Sequence, residues 1–373
     1  MKLLIQPGDG ITALLSGLRN AKKSIEIVIF RLDKREIENA LKAAVGRGVA
    51  VKALVAYTSR AGEQTLRKLE LSLLEGGVTV ARTADDLVRY HDKFMIIDRR
   101  ALYVLAFNYT TLDIEYSRSF GVIIEEPLIV EEAVKLFEAD STRQNYTPDL
   151  DHFIVSPLNA RKQLAAFLKG AEKQLLIYDN QLSDREMIGI LKNRAKAGVE
   201  IRIIGNTGKI GAGLETKKLE GMRLHTRTII RDGQQAFLGS QSLRKAELDS
   251  RREVGVIISE PKLVKGLLST FASDWAGNEG SLSTSNSKAA NLMTAAKAAK
   301  KAVKTLVNDL PALIPTVQEA VAGAVSESLE SVSQQNDGED VLKGTVMEAV
   351  REAIQDVIKK TVTEAVQEIR AAE

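Results

Sequence analysis

The sequence predicts an α/β protein made of two copies of one unit, each a mixed sheet flanked by helices, followed by an α-helical tail. Three observations lead there. Residues 4–54 align without a gap on residues 154–204, at an offset of 150. Each copy reads strand, helix, strand, with short connections between them. Further along, a second register at an offset of 134 brings two histidines and two aspartates into equivalent places.

In the first register Pro7 falls on Pro157, Ala21 on Ala171, Leu32 on Leu182 and Arg35-Glu36 on Arg185-Glu186. Leu41 falls on Leu191, and Gly48-Val49 on Gly198-Val199. Leu14, Leu18 and Ala21 recur at helical spacing. An apolar β run follows, Ser24–Phe30 or Gln174–Tyr178. A second amphipathic helix has Ile37, Leu41 and Ala44 on one face and stops at Gly48, as its copy stops at Gly198. The next β run is Val49–Val55 or Val199–Ile204. This order implies parallel strands joined by crossovers. In the second register Gly121-Val122-Ile123-Ile124 meets Gly255-Val256-Ile257-Ile258, and Phe137 and Asp140 meet Phe271 and Asp274. The two offsets differ by 16 residues, an insertion in the first copy within Thr58–Thr83, where Leu66, Leu69 and Leu73-Leu74 predict a helix. The expected domains are residues 1–146 and 147–280 for the repeats and 281–373 for the tail.

Composition limits the chemistry. The 373 residues contain no cysteine and three histidines, His91, His152 and His225. Disulfides and cysteine-ligated zinc are excluded, a histidine-rich metal site is not expected, carboxylates alone could still hold Mg²⁺ or Ca²⁺, and no cofactor is expected. The net charge is +3, but residues 276–373 hold 10 Lys and Arg against 14 Asp and Glu, leaving 42 against 35 before them. That mildly basic repeat region suits an anionic substrate. No uninterrupted apolar run reaches membrane-spanning length, so a cytoplasmic protein is expected, with any membrane contact peripheral. Gly277–Lys288 reads as a linker. Val346, Val350, Ile354, Val357, Ile358, Val362, Ala365 and Ile369 form an amphipathic stripe, suited to packing or to self-association through residues 288–373. Its polar face carries Glu352, Glu364 and Glu368, which suit anionic lipid poorly.

The chemistry concentrates in His91-x-Lys93-x-x-x-x-Asp98 and its copy His225-x-Arg227-x-x-x-x-Asp232. In each, an imidazole and a cation two residues apart at a strand start share one face. With these two motifs in equivalent places, residues 1–280 resemble the phospholipase D superfamily. The resemblance implies halves related by a pseudo-two-fold axis and both motifs meeting in one site. It implies a phosphohistidine reaction without metal, with His91 as nucleophile, His225 as acid and base, and Lys93 and Arg227 on the phosphate oxygens. Asp98 and Asp232 complete the motifs, though aspartates there more often support the fold. The family's G-S-x-N phrase survives in part, as Leu105-Ala106-Phe107-Asn108 and Gly239-Ser240-Gln241-Ser242. Asn108 and Ser240 are candidates for phosphate contact or turn support. Glu253 matches a family glutamate that partners an imidazole, and its counterpart is Ser119. Arg227 departs from the family's Lys, keeping charge but changing geometry. Three functions remain open: an enzyme cleaving or exchanging a phospholipid headgroup, placed first; a nuclease on DNA or RNA, disfavoured by 5% aromatic content; and a scaffold with weak chemistry that assembles through its tail.

Overall fold

The computed structural model describes residues 1–57, 63–205 and 214–277. The first repeat runs β1 (Lys2–Gln6), α1 (Thr12–Asn20), β2 (Ser24–Ile29), α2 (Arg35–Gly46), β3 (Ala50–Val55), α3 (Glu63–Glu75), β4 (Thr79–Arg82), β5 (Arg89–Tyr90), β6 (Phe94–Ile97), β7 (Ala101–Leu105), α4 (Thr111–Glu115), β8 (Ser117–Ile124) and α5 (Pro127–Thr142). The second runs β9 (Phe153–Ser156), α6 (Ala160–Lys169), β10 (Gln174–Asp179), α7 (Arg185–Lys196), β11 (Glu200–Gly205), β12 (Glu215–Lys217), β13 (Arg223–Leu224), β14 (Arg227–Arg231), β15 (Gln235–Gly239), α8 (Lys245–Asp249), β16 (Arg251–Ile258) and α9 (Pro261–Ala276). The inserted helix in the first repeat is α3. The expected amphipathic tail helix and its self-association lie outside the described residues.

Local sequence explains the elements. In α2 the buried Ile37, Ala40, Leu41 and Ala44 recur every three or four residues, the spacing of one helical face. Gly48 then takes φ 81° and Gly198 takes φ 92° in the copy, a left-handed turn that closes the helix at little cost only for glycine. β2 reads SIEIVI and is buried along nearly its whole length. It lies between β3, parallel to it, and β6, antiparallel to it; Val28 packs into one apolar cluster and Ile25, Ile27 and Ile29 into another, so both its faces are covered and its apolar run is nearly continuous.

The first sheet has the order β1-β8-β7-β6-β2-β3-β4, and the second has β12-β11-β10-β14-β15-β16 with β9 also on β16. Both are mixed, parallel within the β2-β3-β4 or β10-β11-β12 group and antiparallel elsewhere. α1 and α2 cover the outer face of one sheet, and α6 and α7 that of the other. A central cluster draws on both repeats. It holds Val28, Phe94 and Phe120 from the first, and Phe153, Tyr178 and Phe271 from the second.

The repeats also exchange backbone. β5 leaves the first sheet and pairs in parallel with β16, Arg89 opposite Arg251 and Tyr90 opposite Arg252. β13 makes the reciprocal move and pairs with β8 at Ser117 and Arg118. Two ion pairs cross in the same way. Arg118 grips Asp274 with two N–H groups at 2.8 and 2.9 Å, and Arg252 donates to Asp140 at 3.0 Å. The same arginines donate to the carbonyls of Gln6 and Ser156. Losing one member of a buried pair leaves a charge without its partner, at a cost of about 3–5 kcal/mol. Arg252→Met is therefore expected to lower unfolding stability in urea by that order, and Arg252→Met with Asp140→Leu to recover much of it. Equal losses in the single and double variants would contradict the pairing.

Candidate active site

The exchanged dipeptides decide where the histidines go. His91 follows β5 directly, and its amide donates to the Arg252 carbonyl at 2.8 Å. Its Nδ1 then lies 2.9 and 3.1 Å from the two oxygens of Glu253. His225 follows β13, with its amide on the Arg118 carbonyl at 3.0 Å. The Ser119 hydroxyl donates to the His225 carbonyl at 2.8 Å. His225 Nδ1 stands 3.2 Å from Asp113 Oδ2, within ion-pair range but off hydrogen-bond alignment. Each imidazole thus belongs to one repeat and finds its carboxylate in the other.

Both histidines are buried, at 7% and 5% exposure. Burial first, then for His91 the charges of Lys93 and Arg227, holds that imidazole well below its ordinary pKa. Burial also lowers His225, opposed by Asp113 and assisted by Arg223, Arg227 and Lys93. Both cations therefore act on both imidazoles, which brings the two motifs into one electrostatic neighbourhood. Lys93 donates to the His91 carbonyl. Burial, assisted by Arg227 and opposed by Glu253, lowers its ammonium to about 7. Arg227 Nε donates to Ser242 Oγ at 3.2 Å, while its Nη1 is buried without a hydrogen-bond partner among the described residues. A guanidinium N–H left so is positioned to meet an anionic oxygen. Asp92, between His91 and Lys93, is pushed up to about 8 by burial and by Asp140. It adds little negative charge to the site at neutral pH.

The two carboxylates differ. Burial would raise Asp113, but His225, Arg223 and the Asn108 amide hold it well below the usual range. Glu253 is raised by burial, against the pull of Lys93, Ser240 and Arg227. His225 therefore faces a firmly ionised partner, and His91 a weaker one.

The remaining sequence candidates fall in other positions. The Asp98 carboxylate accepts the amides of Lys22, Lys23 and Ser24 at 2.6–3.0 Å. Asp232 accepts those of Glu172, Lys173 and Gln174 at 2.7–3.2 Å. Both tie the start of a central strand at the end of the motif strand remote from the imidazole, about 20 Å along the chain at strand rise. Asn108 donates through its backbone and side chain to Asp113 Oδ2, and its Oδ1 is buried without a partner among the described residues. The Ser240 hydroxyl engages Val254 on both sides of the ladder. Asp113, Arg223 and Glu247 escaped the sequence reading. Arg223 donates to Asp113 Oδ1, and Glu247 accepts the Ser242 amide at 2.7 Å. Asp113 and Glu247 are 134 apart, so an acid in both copies was the signal available.

Fold and site together define a duplicated α/β protein whose two histidines each reach a carboxylate of the other repeat and feel the same two cations. The sequence matches the family described as cardiolipin synthase, PLD-like domain, once over residues 14–141 and again over 164–275, and the chain belongs to that family. It is 31% identical over 134 residues to the mitochondrial cardiolipin hydrolase of Danio rerio, covering 34% of this chain and 56% of that protein. The polyphosphate kinase of Porphyromonas gingivalis shares its fold at a TM-score of 0.62 and 17% identity, over 74% of this chain and 50% of that one. The phosphatidylserine synthase of Haemophilus influenzae Rd KW20 does so at 0.54 and 12%, over 75% and 86%. The chain thus spans about half the length of the first two.

The two kinds of motif residue separate by experiment. Asp98→Ala is expected to lower stability by about 1 kcal/mol, the net order of losing hydrogen bonds to largely exposed amides, while kcat stays close to that of wild type. A collapse of kcat at unchanged stability would return Asp98 to the chemistry.

Proposed function

We propose that the protein is a phosphodiesterase or phosphatidyltransferase that works on a phospholipid headgroup through a phosphohistidine, without metal. The observation that carries the reading is the pairing of each imidazole with a carboxylate from the other repeat, beside Lys93 and Arg227. The name of the Danio rerio relative supports a lipid substrate.

His91 is the nucleophile. When Glu253 accepts the Nδ1 proton, Nε2 keeps its lone pair and faces phosphorus. A lowered pKa keeps that imidazole neutral near pH 7. Nε2 attacks phosphorus, the bond to the headgroup oxygen breaks, and that oxygen takes a proton from His225. Among the protein's own groups the two cations help depress His225. A bound phosphodiester anion offsets them, and ionised Asp113 then supports the imidazolium needed as acid. Water or an alcohol next gives its proton to His225 and attacks phosphorus, and the bond to His91 breaks. Lys93 and Arg227 hold the nonbridging oxygens while charge develops there. Asn108 supports Asp113 through its backbone and side-chain N–H groups, as Ser240 supports Glu253. Peripheral contact with a membrane would deliver the lipid.

The test is turnover in excess EDTA by wild type, His91→Ala and His225→Ala on phosphatidylglycerol, cardiolipin, single-stranded DNA and polyphosphate. Headgroup release that both substitutions lower by at least about a thousandfold, the scale of losing a nucleophile or its acid, is expected. Histidine-dependent turnover of DNA or polyphosphate alone would replace the lipid substrate. Turnover by correctly folded His91→Ala would overturn the mechanism.

A further inference from the structure

Phe30 stands one residue beyond β2, where the strand opens toward the site. Its ring meets the His91 imidazole edge to face, with centroids 4.6 Å apart at 72°. Lys93 Nζ lies 5.2 Å from the centroid of the same ring, and the Arg89 guanidinium 5.4 Å from it. The ring is buried against Ala56 and Tyr90. One side chain therefore touches both members of the first motif. The equivalent position in the second copy is Asn180, which offers no ring to His225 or Arg227.

That contact has consequences for both motif residues. An imidazole hydrogen-bonded only through Nδ1 can still swing about that bond, and an aromatic edge against its face limits the swing. The Lys93 ammonium is nearly fully buried, and no ion-pair partner within 4.0 Å is found for it among the described residues. An aromatic face supplies part of the stabilisation that lost water supplied.

We propose that Phe30 is a positioning residue of the reaction, its ring fixing the plane of His91 and holding the Lys93 ammonium at the site. The proposal rests on the phosphohistidine reading. It makes the first half-site the rigid one, fit for a nucleophile, and leaves the second freer to pick up and release a proton.

The test uses the full chain with Phe30→Leu and Phe30→Tyr, read by turnover against pH and by histidine ring NMR. With three histidines in the chain, the His91 signals are assigned by their loss in His91→Ala. Phe30→Leu is expected to move those signals and leave those of His225. It should lower kcat about tenfold, the order of one desolvated cation–π and ring contact. It should also bring the alkaline rise of KM to lower pH, because Lys93 is charged below its pKa and neutral above it, and loses support for the charged form. Phe30→Tyr, which keeps the ring, should restore all three. A Phe30→Leu protein that shifts His91 but keeps wild-type kcat and the wild-type KM profile overturns the positioning role. Equal impairment of Phe30→Tyr and Phe30→Leu overturns it as well. Turnover by His91→Ala overturns the phosphohistidine reading itself, and the NMR shift then marks a packing contact alone.

Discussion

Everything at the site depends on the reciprocal exchange of β5 and β13 between the two sheets. A histidine that followed its own sheet would sit beside its own repeat's carboxylate. Here the pairing of Tyr90 with Arg252 delivers His91 onto Glu253, and that of Leu224 with Arg118 delivers His225 toward Asp113. The crossed Arg118–Asp274 and Arg252–Asp140 pairs stand beside these exchanges. The arginines that hold the repeats together are therefore also the residues whose carbonyls receive the histidine amides. Cohesion of the repeats and alignment of the imidazoles arise from one set of contacts.

The electrostatics follow from that burial. Two imidazoles, an ammonium and a guanidinium are gathered out of water, and desolvation leads the causes that lower both histidines and Lys93. Such a cluster favours an anion beside it. The asymmetry within it is chemical. His225 has an ionised aspartate, Arg227 has its serine, and His91 has a glutamate and a phenyl ring. Near-symmetry of sequence thus gives the two half-sites different neighbours.

The fold was readable because a duplicated chain checks itself. The gapless match of residues 4–54 on 154–204 predicted β2, α2 and β3 and their copies, and the displaced second register predicted the insertion that is α3. The motif histidines and cations were readable for the same reason. Their carboxylate partners were only half so. Glu253 stood at a family position, but its counterpart Ser119 left His225 apparently unpaired. Asp113 fills that place from α4, six residues before Ser119, and the substitution is visible only once β13 is seen to cross. The lost glycine at Leu105 is absorbed in a similar way, since the Leu105 side chain lies over Gly121, where a Cβ would come within 2.8 Å of it. Asp98 and Asp232 show the converse: conspicuous in the motif, they serve the backbone of a turn.

In the proposed reaction His91 alone takes the phosphoryl group, with His225 as its proton partner. Bis(p-nitrophenyl) phosphate separates the roles, because its aryl leaving group departs without a proton. His225→Ala would be mixed with this ester, quenched within seconds, and its peptides mapped by mass under neutral conditions. An aryl phosphoryl adduct on the peptide containing His91, with a stoichiometric burst of nitrophenolate, is the expected result. A burst without that adduct, or an equal burst from the doubly substituted His91→Ala and His225→Ala protein, would contradict it.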